Sequence, residues 1–194
     1  LLLTVVASVA LNSIRFEAKA SPASNYYYKF TVDREGFTTV EINFNSTDPS
    51  GESWVFVPKN LSQWDYTITS GEITTFETVE TSRVIDYDIY FYRAFIFQYR
   101  FTELFNMTIR FDFDNGALIM EPHGIFYSPQ IGFKPDSNGY AEVLFNQNFQ
   151  IKENRAVVVG SQWYPAENEN IEPHRVLFQL QENVVRLQVE LDIN

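Results

Sequence analysis

The 194-residue chain contains no cysteine. Neither a disulfide framework nor a thiolate metal site can brace or activate it, and the redox compartment cannot be read from cysteine usage. Histidine is almost as scarce, confined to His123 in Glu-Pro-His-Gly and His174 in Glu-Pro-His-Arg. Both stand in proline-containing loops without a His-Glu-x-x-His helix, so zinc has no ligand geometry. Gly160-Ser161 lacks the glycine two residues after the serine that completes a nucleophile elbow. Basic residues number 14 against 25 acidic ones, a net charge of −11, and they are scattered singly. That balance sets nucleic acid aside as a partner. No apolar run reaches the roughly 18 residues that an integral membrane span requires. Asp86 with Asp88, and Asp112 with Asp114 and Asn115, offer oxygen ligands of the calcium type. Their spacing completes no binding loop, so solvent-facing acids on half-buried strands are the better reading. The chain therefore reads as no enzyme, with no metal and no cofactor of its own.

What the chain has in abundance is aromatic side chains, 18 Phe and 11 Tyr. Such residues fit a pleated, half-buried surface better than a helix, and no helical periodicity is sustained over three turns. Alternation supplies the strands. Tyr28, Phe30 and Val32 share one face, Asp33-Arg34-Glu35-Gly36 turns the chain, and Thr38, Val40, Ile42 and Phe44 share the next, which predicts a hairpin. Trp54 to Val57 is a short strand stopped by Pro58. Residues 64 to 101 are dense in Thr, Ile, Tyr and Phe, with a turn at Ser70-Gly71. Met107, Ile109, Phe111 and Phe113 alternate with polar residues and run into Asn115-Gly116, the strongest short hairpin signal. The Pro- and Gly-rich stretch from Glu121 to Asn138 predicts a loop, and Gln162 to Pro173 an acidic one. Val176, Phe178 and Leu180 pass through Glu182-Asn183 into Val185, Leu187, Val189, Leu191 and Ile193, a second predicted hairpin.

Residues 1 to 11, Leu-Leu-Leu-Thr-Val-Val-Ala-Ser-Val-Ala-Leu, form the most apolar segment. Leu1, Leu3, Val5, Ala7, Val9 and Leu11 are all apolar while the even positions are mixed, the period of a strand with one buried face. Burying that face is worth on the order of 10 kcal/mol as an upper bound. Three readings stand side by side: a leftover secretory segment ahead of Ala18-Lys19-Ala20, an ordinary first strand of the chain's own core, or a donor strand inserted into a neighbouring molecule. The small and polar stretch Ser21-Pro22-Ala23-Ser24-Asn25 permits the second and the third. Residues 1–20 thus divide from a β-rich body at 21–194.

Asn45-Ser46-Thr47, Asn60-Leu61-Ser62 and Asn106-Met107-Thr108 each match the N-glycosylation acceptor pattern. With the apolar N-terminus they favour a secreted or cell-surface glycoprotein carrying N-linked glycans.

The apolar strand Leu1 to Leu11, the connector through Ser21, the all-β body and the three sequons together make the chain resemble the archaeal surface filament subunits called threads and the related bundling pili. The likeness covers the whole chain in outline and rests on no single motif. It implies an all-β, immunoglobulin-like antiparallel β-sandwich with an N-terminal donor strand. It further implies secretion through a removed signal peptide, and polymerisation of identical subunits head to tail into an extracellular filament for adhesion or biofilm cohesion. The alternative is an extracellular β-sandwich module that binds a ligand or carbohydrate, for which Trp54, Trp64 and Trp163 are the stacking candidates.

Overall fold

The computed structural model describes residues 23–61, 63–114, 116–158, 163–164 and 171–193. The chain runs through β1 (Ser24–Val32), β2 (Thr38–Ser46), β3 (Ser50–Pro58), β4 (Trp64–Ser70) and β5 (Glu72–Glu80). A 3-10 turn at Thr81–Arg83 precedes β6 (Tyr92–Arg100), β7 (Phe105–Phe113), β8 (Ala117–Met120), β9 (His123–Tyr127) and β10 (Ile131–Gly132). Then come β11 (Asn138–Phe145), β12 (Phe149–Val158), β13 (Trp163–Tyr164), β14 (Ile171–Glu172), β15 (Arg175–Leu180) and β16 (Val184–Ile193). The fold is all-β, as the aromatic and alternating sequence predicts.

One layer is a seven-stranded sheet in the order β14-β15-β11-β1-β2-β7-β4. Facing it are a three-stranded sheet, β3-β6-β5, and a sheet in the order β13-β12-β16-β9-β8, with β10 also on β16. A bridge between Val55 and Phe133 joins these two into one opposing layer. The result is a β-sandwich. Its pairs are antiparallel except β1 with β11, which run parallel. The long excursion from β2 to β10 makes that possible, since parallel neighbours need a crossover rather than a tight turn.

Alternation decides which side chains meet between the layers. Tyr26, Tyr28, Phe30 and Val32 on β1 are buried, as are Thr38, Val40, Ile42 and Phe44 on β2. From the other layer Phe97 and Tyr99 approach the Phe44 ring at 5.2 and 5.4 Å, and Tyr26 and Phe105 close the same ring at 4.9 and 5.9 Å. Three tyrosine hydroxyls bond across the core. Tyr28 Oη donates to the Gly132 carbonyl at 2.9 Å, Tyr99 Oη donates to Ser46 Oγ at 2.9 Å, and Tyr26 Oη pairs with Ser53 Oγ. A buried hydroxyl without a partner is expensive, so these bonds fix how the layers sit on one another. A second small cluster, Trp54, Phe56, Tyr92, Ala94 and Val184, covers the outer side of the three-stranded sheet. It explains why β3 is buried on both faces along Ser53–Pro58.

The buried tyrosines yield a pH prediction. Burial raises the Tyr28 hydroxyl well above the ordinary value of 10.0 and raises Tyr26 too, although the Ser53 bond opposes it. Above pH 10 the unfolded chain therefore releases protons that the folded chain keeps. Stability from these groups is complete below the unfolded value and falls as pH rises beyond it, by about 1.4 kcal/mol per pH unit for each tyrosine. Urea midpoints between pH 9 and 11 are expected to drop, and Tyr26→Phe or Tyr28→Phe to flatten the drop.

The hairpin expected at Asp33–Gly36 forms, pairing β1 with β2, whereas the two expected at Asn115-Gly116 and Glu182-Asn183 do not pair. β4 and β5 meet at Ser70-Gly71 yet lie in opposite layers. Gly71 takes φ +84°, and a Cβ there would stand 2.7 Å from the Phe105 ring, so the corner requires glycine. β7 and β8 flank Asn115-Gly116 and are likewise not partners, because β8 pairs with β9. A Cβ on Gly116 would meet Thr38 Oγ1 at 2.1 Å. That glycine lets the chain pass close over β2 between layers rather than fold back on itself; Asn115 lies outside the described residues. β15 and β16 separate in the same way, the first onto β11 and the second onto β12. The loop expected from Glu121 to Asn138 contains β9, held between β16 and β8.

Candidate functional site

Among the described residues each layer of the sandwich ends on one side in a strand paired along one edge. Among the described residues β4 pairs only with β7 and β5 only with β6. The two lie at the same side of the molecule, joined through Gly71. Their inward parity places Trp64 and Tyr66 opposite Phe76. Phe76 stacks on both, at 5.5 Å and 13° to Trp64 and at 5.5 Å and 10° to Tyr66, while Trp64 also reaches Phe95 at 4.5 Å. The seam is only half covered: Trp64 is 38% exposed and Tyr66 43%. A row of stacked rings beside two strands that each have one strand partner among the described residues is a place where an extended segment can gain both main-chain hydrogen bonds and apolar contact.

The donor-strand residues Leu1, Leu3, Val5, Ala7, Val9 and Leu11 all lie outside the described residues. The other named residues can be placed. Asn45 on β2 and Asn106 on β7 stand directly opposite each other on the outer face of the seven-stranded sheet. Asn45 Oδ1 accepts from Asn25 Nδ2 at 3.0 Å, Asn25 Oδ1 accepts from Asn138 Nδ2 at 2.9 Å, and Asn106 Oδ1 accepts from Asn43 Nδ2 at 3.0 Å. Both sequon asparagines are thus half-buried members of a side-chain amide ladder within paired strands. Asn60 differs. It is exposed in the turn that follows β3; Ser62 of its sequon is outside the described residues. Glycosyl transfer needs an accessible, extended acceptor, which a turn offers and a paired strand does not. In a glycosylating host, glycopeptide mass spectrometry is expected to find higher occupancy at Asn60 than at Asn45 or Asn106.

Of the tryptophans, Trp54 is in the satellite core, stacked on Phe56 at 5.0 Å, and is no surface platform. Trp64 belongs to the seam. The two histidines are not brought together into a common cluster. His123 Nδ1 lies 3.0 Å from Asp192 Oδ1 on an exposed surface, and His174 Nδ1 lies 2.6 Å from the Phe149 carbonyl. Hydrogen bonds from the Ser82 side chain and from its backbone N–H, the latter at 2.9 Å, hold the Asp88 carboxyl below the usual range and pin the loop after the 3-10 turn. Among the described residues no three His, Asp or Glu side chains gather as a metal site would require. No described helix is long and apolar enough to cross a membrane.

Comparison with known proteins adds little. No family model matches the chain, and no curated protein does. Among solved structures, the folded domain of LppM from Mycobacterium tuberculosis aligns over 90% of this chain and 92% of its own, at 10% identity and a TM-score of 0.39. An M1 zinc metallopeptidase from Deinococcus radiodurans aligns over 85% of this chain and 41% of its own, at 10% identity and a TM-score of 0.37. Likenesses this distant carry no argument about what the chain does.

Proposed function

We infer that the chain is a structural subunit of an extracellular filament, joined head to tail by an N-terminal strand that completes the β-sandwich of the next subunit. The observation that supports this is the open seam between β4 and β5. Edge strands of soluble proteins are ordinarily blunted by charge, proline or cover. Here Trp64, Tyr66 and Phe76 remain partly exposed beside β4 and β5. An apolar strand with the odd-face pattern of Leu1 to Leu11 has the chemistry to cover those rings while its backbone pairs with β4 or β5. Because donor and acceptor are different surfaces, the contact is heterologous, and repetition gives an open polymer rather than a closed dimer.

Competition tests the reading. A synthetic peptide of residues 1 to 11, added in excess to the full chain while it assembles, is expected to shorten the polymers seen by light scattering. A peptide of the same composition in scrambled order is expected to leave them unchanged. A chain that stays monomeric at all concentrations, or polymers indifferent to the peptide, counts against it.

A further inference from the structure

A second surface, on the outer face of the seven-stranded sheet, has the build of a binding site. It is an open trough of about 480 Å³ running across β15, β11, β1, β2 and β7. That volume falls within the roughly 300 to 1,000 Å³ of small-molecule sites. Strand register brings its parts together from distant stretches of sequence. Tyr140, Tyr27, Asn43 and Thr108 form one row across the sheet. Glu142, Lys29, Glu41 and Arg110 form the next.

The first row supplies an aromatic surface and fixed amides. The Tyr27 and Tyr140 rings stack at 5.1 Å and 14°, and Tyr27 stays 45% exposed. Asn43 is oriented by bonds to Asn106 and to Thr108 Oγ1 at 3.1 Å, so its carboxamide is positioned before any ligand arrives. In the second row the charges cancel. Arg175 of β15 binds Glu142 at 2.5 Å and Glu172 at 3.4 Å, Arg110 binds Glu41 at 2.5 Å, and Lys29 stands in register between Glu142 and Glu41, so that three cations face three carboxylates. With no excess of either sign, the trough gives no electrostatic reason to select an ion.

We propose that this trough binds an uncharged oligosaccharide, with Tyr27 as its stacking platform. A neutral sugar presents an apolar C–H face, which matches an exposed tyrosine ring. Around that face are hydroxyls that both donate and accept, which matches a floor of amides, carboxylates and guanidinium groups. Nucleic acid, whose phosphates need net positive charge, does not fit a balanced trough on a chain of net charge −11. The trough is separate from the β4 and β5 seam, so its ligand does not depend on how the subunits join.

The test is titration of the full chain by calorimetry and amide NMR with cellohexaose, laminarihexaose, mannohexaose and chitohexaose, with hexagalacturonate as the anionic probe. At least one neutral hexaose is expected to bind, more tightly than hexagalacturonate. Tyr27→Ala is expected to weaken it by ~10-fold or more, and Tyr27→Phe, which keeps the ring, by less than ~3-fold. Light scattering on the same samples shows whether Tyr27→Ala has altered assembly, and circular dichroism whether it has altered the fold. Absence of binding by all four neutral probes at about 10 mM, equal binding by folded Tyr27→Ala, or preference for hexagalacturonate would overturn the proposal.

Discussion

Truncating Phe44 to Ala is expected to lower the free energy of unfolding by about 3–5 kcal/mol, one of the largest effects of any single core substitution in this chain. Phe44 is 1% exposed and its ring is touched by Tyr26, Phe97, Tyr99 and Phe105, two from its own layer besides itself and two from the other. Removing it leaves a cavity bounded by rings that are themselves tied down. Tyr99 is held to Ser46 and Tyr26 to Ser53, so neither can swing in without giving up a buried hydrogen bond. A site that cannot collapse sits at the upper end of the range for large-to-small substitutions. Set against a typical total of about 5–15 kcal/mol, that loss is a large fraction of the stability. The comparison is Phe91→Ala. Phe91 is 73% exposed next to Tyr90, and its loss is expected to change stability by less than ~0.5 kcal/mol. Urea denaturation of both variants separates the two cases, although both remove the same phenyl ring.

The second large effect concerns assembly. Replacing Val5 or Val9 by Asp is expected to abolish polymers while the body keeps its far-ultraviolet spectrum. An ionised carboxylate forced between a donor strand and the aromatic seam would be buried without a cation, a penalty of several kcal/mol. Repeated at each junction, that penalty leaves no stable contact between subunits. Thr4→Asp puts the same charge on the opposite parity of the same segment. It is expected to be tolerated, since the period of two sends it to the other face. Light scattering on the three variants reads the result. Equal loss in all three would mean that charge alone, rather than the buried face, disrupts assembly.

The strands and their buried faces were legible in the sequence wherever alternation ran undisturbed. β1, β2, β7 and β16 carry their large side chains where parity puts them; Gln188, on the polar parity of β16 between Leu187 and Val189, departs from it at 3% exposed. It is covered on the side that Glu190 and Tyr127 share with it. Pairing was legible at the Asp33–Gly36 turn, where β1 and β2 form the expected hairpin, and not at the other turns. Ser70-Gly71, Asn115-Gly116 and Glu182-Asn183 are turn signals, and a turn signal states that the chain changes direction without stating whether it returns beside itself or crosses to the opposite layer. The outcome depends on what fills the space beyond the corner, such as the Phe105 ring at Gly71 or the Thr38 side chain at Gly116. β9 was hidden by Pro122 and Gly124, residues that normally argue against a strand. The trough was invisible for a related reason. It depends on β1 lying parallel to β11, which sets Asn25 beside Asn138 and Tyr27 beside Tyr140, and no local pattern encodes a pairing across so long a separation. The seam was partly visible, since Trp64 was noted as a candidate surface ring, but its stacking on Phe76 required the corner at Gly71.

The absence of cysteine makes the most direct test of strand exchange a clean one. Cysteine is introduced at Thr67, in the middle of the exposed edge strand β4 and on its outward parity, in one batch of chain, and at Thr4, Val6 or Ser8, the outward parity of the donor segment, in another. The batches are mixed, allowed to assemble and oxidised. A disulfide forms only where Cα atoms come within about 7 Å. Strand exchange at β4 predicts a covalent pair made of one chain from each batch, formed with at least one of the three N-terminal positions. The contrary result is a chain carrying both substitutions that closes a disulfide within itself as a monomer, with no mixed pair from the separate batches. The strand would then belong to its own sandwich.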